Sequence, residues 1–346
     1  MSLIKDVFTR EWLDRLGQEL GTPDFSRRVL EADWDELAFK QRVRLIATTL
    51  GGYLPDDFDE AVSRLETIAP RFPGLPGIVF PDYVELHADD WERALLALER
   101  LTPHSSSEFA VRRFLLEDQD RFLLTAHRWS ASEDEHVRRL ASEGTRPRLP
   151  WGQAIPSLIA DPSPVLPLLD RLLADESLYV RKSVANHLND ITKTHPEFVL
   201  ERVRTRLGEH PHSDWVLRHA SRTLLKQGHP EALQLFGFVT CGEVEVEGLS
   251  LEADSIPIGG VLVFAFDVTT TERERLRIEY AIDYVKKRGT SRKVFKISEG
   301  TVDGRKSVQK RQSFKDLTTR VHHPGRHHLT ILVNGEAKAD IPFEVI

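Results

Sequence analysis

At 346 residues the chain is long for one hydrophobic core, so two domains are expected, and 40% hydrophobic content with charge spread throughout fits ordinary globular folding. A single cysteine, Cys241, excludes an internal disulfide framework and fits a reducing cytoplasm, and the N-terminal run MSLIKDVFTREWLDRL lacks the apolar stretch of a signal peptide or membrane span. The formal net charge of −7 argues against indiscriminate coating of nucleic acid, so an anionic partner has to be met by local patches.

From Phe8 to Phe236 apolar residues recur at spacings of three and four, and Pro, Gly or Ser-Asp clusters part the segments, which predicts helices and no strands. The helices before Glu108 fit a repeat less well and are expected to form an irregular cap. WERALLALERL, VLPLLDRLLAD and PEFVLERVRTRLGEH each carry one apolar stripe that a neighbouring helix must cover. EHVRRLASEG, LYVRKSVANHLND and DWVLRHASRTLLK superpose with Val137, Val180 and Val216 in register, at a spacing of about forty residues. That interval predicts an all-α HEAT-like repeat solenoid, in which each helical pair buries its face against the next and the second helices line a concave surface.

After Phe238 the pattern changes to alternation of period two. GEVEVEGLSLE, GGVLVFAFDVTT, RLRIEYAIDYVKK, SRKVFKISEG and HHLTILVNGEAKADIPFEVI read as strands, with turns at Gly259-Gly260, Asp303-Gly304, Pro324-Gly325 and Asn334-Gly335, the last a strong hairpin signal. About seven short strands without a long helix predict an all-β immunoglobulin-like sandwich, although the Cys, Trp, Cys signature of antibody domains is missing. The expected organisation is a helical domain over 1–238 and a sandwich over 242–346, with a linker at Val239–Gly242.

Basic residues concentrate in two places. Lys286, Lys287, Arg288, Arg292, Lys293, Arg305 and Lys306 lead a run ending at Arg326 that meets only Glu299, Asp303 and Asp316. Phosphate contact is the favoured reading, against a solvated strand face that protects an edge. In the helical part Arg112, Arg113, Arg138, Arg139, Arg146, Arg148, Arg181 and Lys182 fall in or beside second helices of repeats. One such pair alone would be a solvated or capping pair; recurrence at one repeat position makes a cationic track for a duplex backbone.

The run WSASEDEHVRRLASEGTRPRLPWG, Trp129 to Gly152, closely resembles the segment that marks AlkC-like enzymes within the HEAT-repeat DNA alkylation-repair glycosylases. SSSEFAVRRFL and ESLYVRKSVANHLNDITKTHPEFV match upstream and downstream in the right order, and some members of the family are similar in carrying an Ig-like domain after the helices. The resemblance implies a monofunctional DNA N-glycosylase that needs no cofactor. Its substrate would be double-stranded DNA with cationic alkylated bases, chiefly 3-methyladenine, with 3-methylcytosine and 1-methyladenine as further candidates, and it would act without flipping the base into a pocket. A monomer in the bacterial cytoplasm, associated with the nucleoid when bound to DNA and with no membrane partner, is the matching expectation. Methylation makes the base a cationic leaving group, so no strong general acid is required. A carboxylate near C1′ offsets the developing oxocarbenium charge and orients water, and an aromatic face adds cation–π stabilisation.

Three acidic residues lie inside the matching motifs: Glu108, Glu143 and Asp190. Each has a plainer reading. Ser105 and Glu108 have the spacing of a helix capping box. Glu143 precedes Gly144 at an expected helix end, where a carboxylate opposes the helix dipole. Asp190 closes a helix whose Asn186 and Asn189 suit a polar ladder between repeats. The resemblance turns all three into expected members of the active cleft, with Glu143 and Glu108 favoured for direct catalysis. Trp151 is the expected aromatic contact to sugar or base, Trp129 a second choice, and core packing the plainer role for either. Arg139, Arg146 and Arg148 are assigned to phosphates flanking the lesion, against salt bridges to Glu133, Glu135 or Glu143.

GTVDGRKS, Gly300 to Ser307, is one residue short of a phosphate-binding loop and reads as a basic hairpin tip. His322-His323 and His327-His328 flank a Pro-Gly turn without a completing carboxylate or thiolate, so no metal is expected. Cys241 lacks a paired His and Asp, and no lysine of the repeat motifs is placed for Schiff-base chemistry. The competing function is a noncatalytic helical scaffold that binds DNA or protein. The acidic trio opposes it, because carboxylates on a cationic surface repel phosphate.

Overall fold

The computed structural model describes residues 3–31, 33–239, 242–317 and 320–346. Along them run α1 (Arg10–Leu20), α2 (Phe25–Leu30), α3 (Phe39–Gly51), α4 (Phe58–Ile68), α5 (Val79–His87), α6 (Trp91–Leu101), α7 (Val111–Glu117) and α8 (Gln119–Trp129). They continue as α9 (Glu135–Gly144), α10 (Pro156–Ala160), α11 (Leu166–Leu172), α12 (Leu178–Ile191), α13 (Pro196–Arg206), α14 (Pro211–Ala220), α15 (Arg222–Lys226) and α16 (Pro230–Leu235). Among the described residues no strand precedes Val244. The starts are written in the side chains. Thr9, Asp57, Asp90, Asp118, Asp134 and Ser177 each accept a hydrogen bond from a backbone N–H of the first turn that would otherwise lack a partner.

Met1–His195 and Arg206–Ala220 pack as one unit. Within it α12 packs against both α9 and α14, so the three helices that share the sequence repeat are spatial neighbours. The register residues Val137, Val180 and Val216 are all buried. Trp129 is buried as well, edge-on to Phe122 with ring centroids 5.8 Å apart, and its indole N–H donates to Glu99 at 2.7 Å. This corrects its assignment as a DNA contact: with Phe122 and Ala126 it completes the apolar stripe of α8.

Pro196–Thr205 and Ser221–Ile346 form the second unit. Its strands are β1 (Val244–Leu251), β2 (Ser255–Ile256), β3 (Val261–Thr270), β4 (Glu274–Val285), β5 (Thr290–Val302), β6 (Arg305–Ser313), β7 (Gly325–Val333) and β8 (Glu336–Val345). One sheet has the order β1-β3-β6 and the other β2-β8-β7-β4-β5. Between them lie Leu262, Phe264 and Phe266 of β3, Leu276, Ile278, Tyr280 and Ile282 of β4, and Leu329, Ile331 and Val333 of β7. The period of two is that of strands with one face inward. Two features depart from expectation. RKSVQKRQS forms edge strand β6, whose one buried residue is Val308, so alternation was too weak to mark it. Asp303-Gly304 is a corner that carries the chain from β5 in one sheet to β6 in the other, and the hairpin tip expected there is absent.

The change from helix to strand near Val239–Gly242 is not where packing divides. Thr240 and Cys241 lie outside the described residues, but the helical stretch before them belongs to the sandwich unit. α15 packs on β5, the Arg275 guanidinium lies 5.4 Å from the Phe238 ring centroid, and Gly228 meets the β7–β8 turn. That turn is Asn334-Gly335, with φ of 47° and 82°. A Cβ on Gly335 would lie 2.7 Å from Gly228 Cα and 2.9 Å from Leu233 Cδ1. Gly335→Ala is therefore expected to lower stability by about 2 kcal/mol or more, from the positive φ together with a backbone clash. Guanidinium unfolding checks this, and a loss under about 0.5 kcal/mol, as at an ordinary surface site, would contradict it.

Candidate active site

Helices α9 and α12 each place a carboxylate in the last turn, Glu143 and Asp190, where the helix dipole disfavours negative charge. Both are buried. The compensation is Arg146, which leaves α9 one residue after its C-cap and reaches both acids. Its Nη1 donates to Glu143 Oε1 at 2.6 Å, its Nε to Asp190 Oδ2 at 2.9 Å, and its Nη2 lies 2.8 Å from the same oxygen. Arg139, one turn before Glu143, pairs with Glu108 and lies 3.7 Å from Glu143 Oε1. Lys193 closes the chain on Asp190 Oδ1 at 2.8 Å. The three acids picked out from the motifs thus belong to one alternating line, Glu108, Arg139, Glu143, Arg146, Asp190, Lys193.

Burial pulls the guanidinium of Arg146 toward easier deprotonation, but Glu143 and Asp190 outweigh it and hold the group above its ordinary value; Glu108 and Glu143 do the same for Arg139. Both arginines are locked as cations between carboxylates. Their assignment to flanking phosphates is corrected: the partners sit at hydrogen-bond distance and little of either side chain is exposed. Arg148 is half-buried and reaches the Asp190 carbonyl at 3.3 Å. Arg181 is corrected too. It donates to the carbonyls of Asp175 and Glu176 at 2.6 and 2.9 Å, as Arg138 does to Ser132 and Glu133 at 3.0 and 2.9 Å, so in α9 and α12 the arginine of the "VR" ties down the loop before its own helix. Lys182 beside it is exposed.

Glu108 is not part of a Ser105 capping box. Ser106 takes that place, accepting from Glu108 N at 3.3 Å and donating to Glu108 Oε2 at 2.9 Å, which leaves the carboxylate turned toward Arg139. Glu108 opens on a cavity of about 460 Å³ together with Phe109, His136, Arg139 and Tyr179. Trp151 lines a different cavity, of about 440 Å³, with Lys40, Arg44, Phe109, Arg112 and Arg113. Phe109 is a wall of both. Trp151 is 59% exposed and has φ of 62°, in the left-handed region that a bulky residue adopts only when its surroundings demand it. Phe39 supports it at a centroid distance of 5.7 Å.

Behind the carboxylates, Arg112 is 2% exposed and donates to the carbonyls of Gln153, Gly144 and Arg146 at 2.6, 3.1 and 2.9 Å, tying the loop after α9 to α7. Burial and the neighbouring Arg146 push it down to about 10. Gly144 permits the approach, since a Cβ there would stand 2.7 Å from Val111 Cγ2. Ser183 donates to Glu143 Oε2 at 2.5 Å, and His187 lies 3.0 Å from the Ser142 carbonyl through Nδ1. A carbonyl only accepts, so Nδ1 carries the proton and buried Nε2 is left without a partner. Sequence reasoning missed these supports, although one signal was available: Ser183 stands at the repeat position that Leu140 occupies in α9, and both are buried.

On the sandwich, the basic run maps to edges. Lys286, Lys287 and Arg288 form the β4–β5 turn, Arg292 and Lys293 lie on edge strand β5, and Arg305 and Lys306 on edge strand β6. Arg292 pairs with Asp283 at 2.9 Å, Arg305 with Asp267 at 2.5 Å, and Lys306 donates to Ser298 at 3.0 Å. Lys293 is lowered by burial and then by the nearby Arg320 and Lys286, a mark of crowded like charge. His322 and His327 are buried against Tyr284 and Phe314, and among the described residues no group of three or more metal-ligating side chains occurs.

Residues 103–224 match the family described as DNA alkylation repair enzyme, and residues 245–346 match the C-terminal Ig-like domain of uncharacterised protein YhaZ. The chain is 47% identical to the uncharacterized protein YhaZ of Bacillus subtilis (strain 168), over 100% of both chains. It is similar, at 40% identity and a TM-score of 0.94 over 100% of both chains, to the Pseudomonas fluorescens alkylpurine DNA glycosylase AlkC, solved bound to DNA containing an abasic site analog.

His187 supplies a pH test of the scaffold behind Glu143. Burial, then Arg146, push its imidazole from 6.5 down to about 4, so between those values the folded chain binds fewer protons than the unfolded one. Its contribution is complete above the ordinary value and is lost as pH falls through about 4. The loss amounts to about 3 kcal/mol in urea unfolding, and His187→Gln should remove most of it. Equal acid sensitivity in both proteins would contradict the assignment.

Proposed function

The chain belongs to the DNA alkylation repair enzyme family, in its AlkC-like branch, and on that premise we propose that it is a DNA N-glycosylase that releases cationic alkylated bases from double-stranded DNA. 3-Methyladenine is the principal substrate of this reading, with 3-methylcytosine and 1-methyladenine beside it. The observation that carries the proposal is the line of three carboxylates, Glu143 and Asp190 buried at the ends of α9 and α12 and Glu108 half-buried in the turn before α7. Such burial is costly to a scaffold and useful to a reaction that develops positive charge on a sugar.

In this mechanism the methylated base leaves as a neutral molecule, so the protein has no strong acid to supply. Glu108, open to its cavity and oriented by Ser106 and Arg139, directs the attacking water toward C1′. Glu143, fixed by Arg146 and Ser183, places its charge against the oxocarbenium-like sugar. Asp190 positions Arg146 and thereby Glu143. Trp151 presents an exposed aromatic face to the sugar or base of the lesion strand. The enzyme is monofunctional in this reading, because Lys193, the lysine of the ion-pair line, is engaged by Asp190. The base stays in the duplex, and the cationic β4–β5 turn of the sandwich, Lys286 to Arg288, meets phosphates as a monomer engages DNA.

Incubation with duplex DNA treated with a methylating agent should release 3-methyladenine and leave intact abasic strands, read by chromatography of the free base. No release, or strand cleavage without added base, would defeat the reading. Glu143→Gln and Glu108→Gln should each lower single-turnover excision by about 10²-fold or more while duplex binding survives. Undiminished excision in both would remove them from the chemistry.

A further inference from the structure

Four cations border the cavity beside Trp151, and the α5 carboxylates near them, Asp82 and Glu85, are engaged by one of the four. Lys40 and Arg44 stand one turn apart at the start of α3, and Arg112 and Arg113 come from α7. Arg44 holds Asp82 and Glu85, each at 3.1 Å. Lys40 has no carboxylate within ion-pair distance among the described residues; its ammonium rests 4.1 Å from the Phe109 ring centroid. Burial lowers its affinity for a proton, with Asp82 and Glu85 only partly offsetting. Arg113 spends one donor on the Glu85 carbonyl at 2.5 Å, lies 4.0 Å from the exposed Glu117 one turn on, and is 42% exposed at its side chain. Arg112 Nη2 is buried and has no hydrogen-bond partner. A site with unspent donors, excess positive charge and an exposed tryptophan on its rim matches the chemistry of a nucleic-acid strand: an anionic oxygen for the cations and a flat apolar face for the indole.

We propose that Lys40 and Arg113, with Arg44 behind them, bind one phosphodiester of the DNA strand that passes over Trp151. The inference rests on the DNA reading above and extends it to helices that carry no repeat motif. Since Arg139 and Arg146 are committed to carboxylates, the phosphate next to the lesion has to be held by other cations. Phe109 forms the wall between this cavity and the one onto which Glu108 opens, which sets the phosphate beside the reacting sugar. A phosphate arriving here also returns the Lys40 ammonium to a fully paired state.

The test uses the full-length protein and a fluorescently labelled undamaged duplex, with affinity measured across a sodium chloride series. Lys40→Gln should weaken binding several-fold and flatten the plot of log affinity against log salt by about 0.9, the release expected for one phosphate contact. Arg113→Gln, at a more exposed position, should move the slope the same way and keeps the test alive if Lys40→Gln melts early. A duplex with one abasic site analog to fix the register and one neutral methylphosphonate linkage, moved along the strand, should lose affinity for the wild type at one position where Lys40→Gln loses nothing further. Wild-type slopes in both variants, or equal losses at every linkage in wild type and Lys40→Gln, would overturn the subsite. Because undamaged DNA calls for no excision, a flattened slope from a protein that releases no 3-methyladenine would keep the subsite and sink the glycosylase reading alone.

Discussion

The site depends on one arginine. Glu143 and Asp190 end two neighbouring helices, where backbone dipoles already disfavour negative charge, and both are cut off from water. Two buried carboxylates in such places would push apart. Arg146 prevents this because a planar guanidinium offers donors in a fixed fork, two toward Asp190 and one toward Glu143. Arg139 repeats the device between Glu143 and Glu108. Fields of this kind are useful only if rigid, and the second line of supports supplies that rigidity: Ser183 on Glu143, Arg112 on the loop that carries Arg146, and His187 on the last turn of α9.

Cations that hold carboxylates cannot also hold phosphates at full strength, so the positive charge of the repeat helices is largely internal. The surplus lies elsewhere, at the β4–β5 turn of the sandwich and around Lys40, two places that a net charge of −7 conceals. The sandwich carries its own buried ions on the outer face of β4, where Arg277 pairs with Glu279 at 2.5 Å and also with Glu299. The stretch from Ser221 to Phe238 packs with that sheet as part of one unit, so helix and strand textures are poor guides to where this chain divides.

Much of the architecture was legible in the chain. Capping side chains, the forty-residue recurrence of Val137, Val180 and Val216, and Asn334-Gly335 are local signals, and local signals survive into the fold. The three carboxylates were legible through the motifs around them. Their partners were not: Arg146 and Asp190 are 44 residues apart, and helical spacing says nothing about which face of one repeat meets the next. Trp129 was readable as core from its stripe with Phe122 and Ala126, and the attraction of a motif tryptophan obscured it. Strand β6 failed the opposite way, since an edge strand with a single buried residue shows almost no alternation. Lys40 carries no sequence signal at all, because its meaning comes from Phe109 and Arg113 across the fold.

The central claim is that Arg146 serves carboxylates and not phosphate, and the salt dependence of DNA binding by Arg146→Gln tests it most directly. Its slope of log affinity against log salt should equal that of the wild type while single-turnover release of 3-methyladenine falls by about 10²-fold or more. A slope flatter by about 0.9 would show instead that Arg146 neutralises a phosphate.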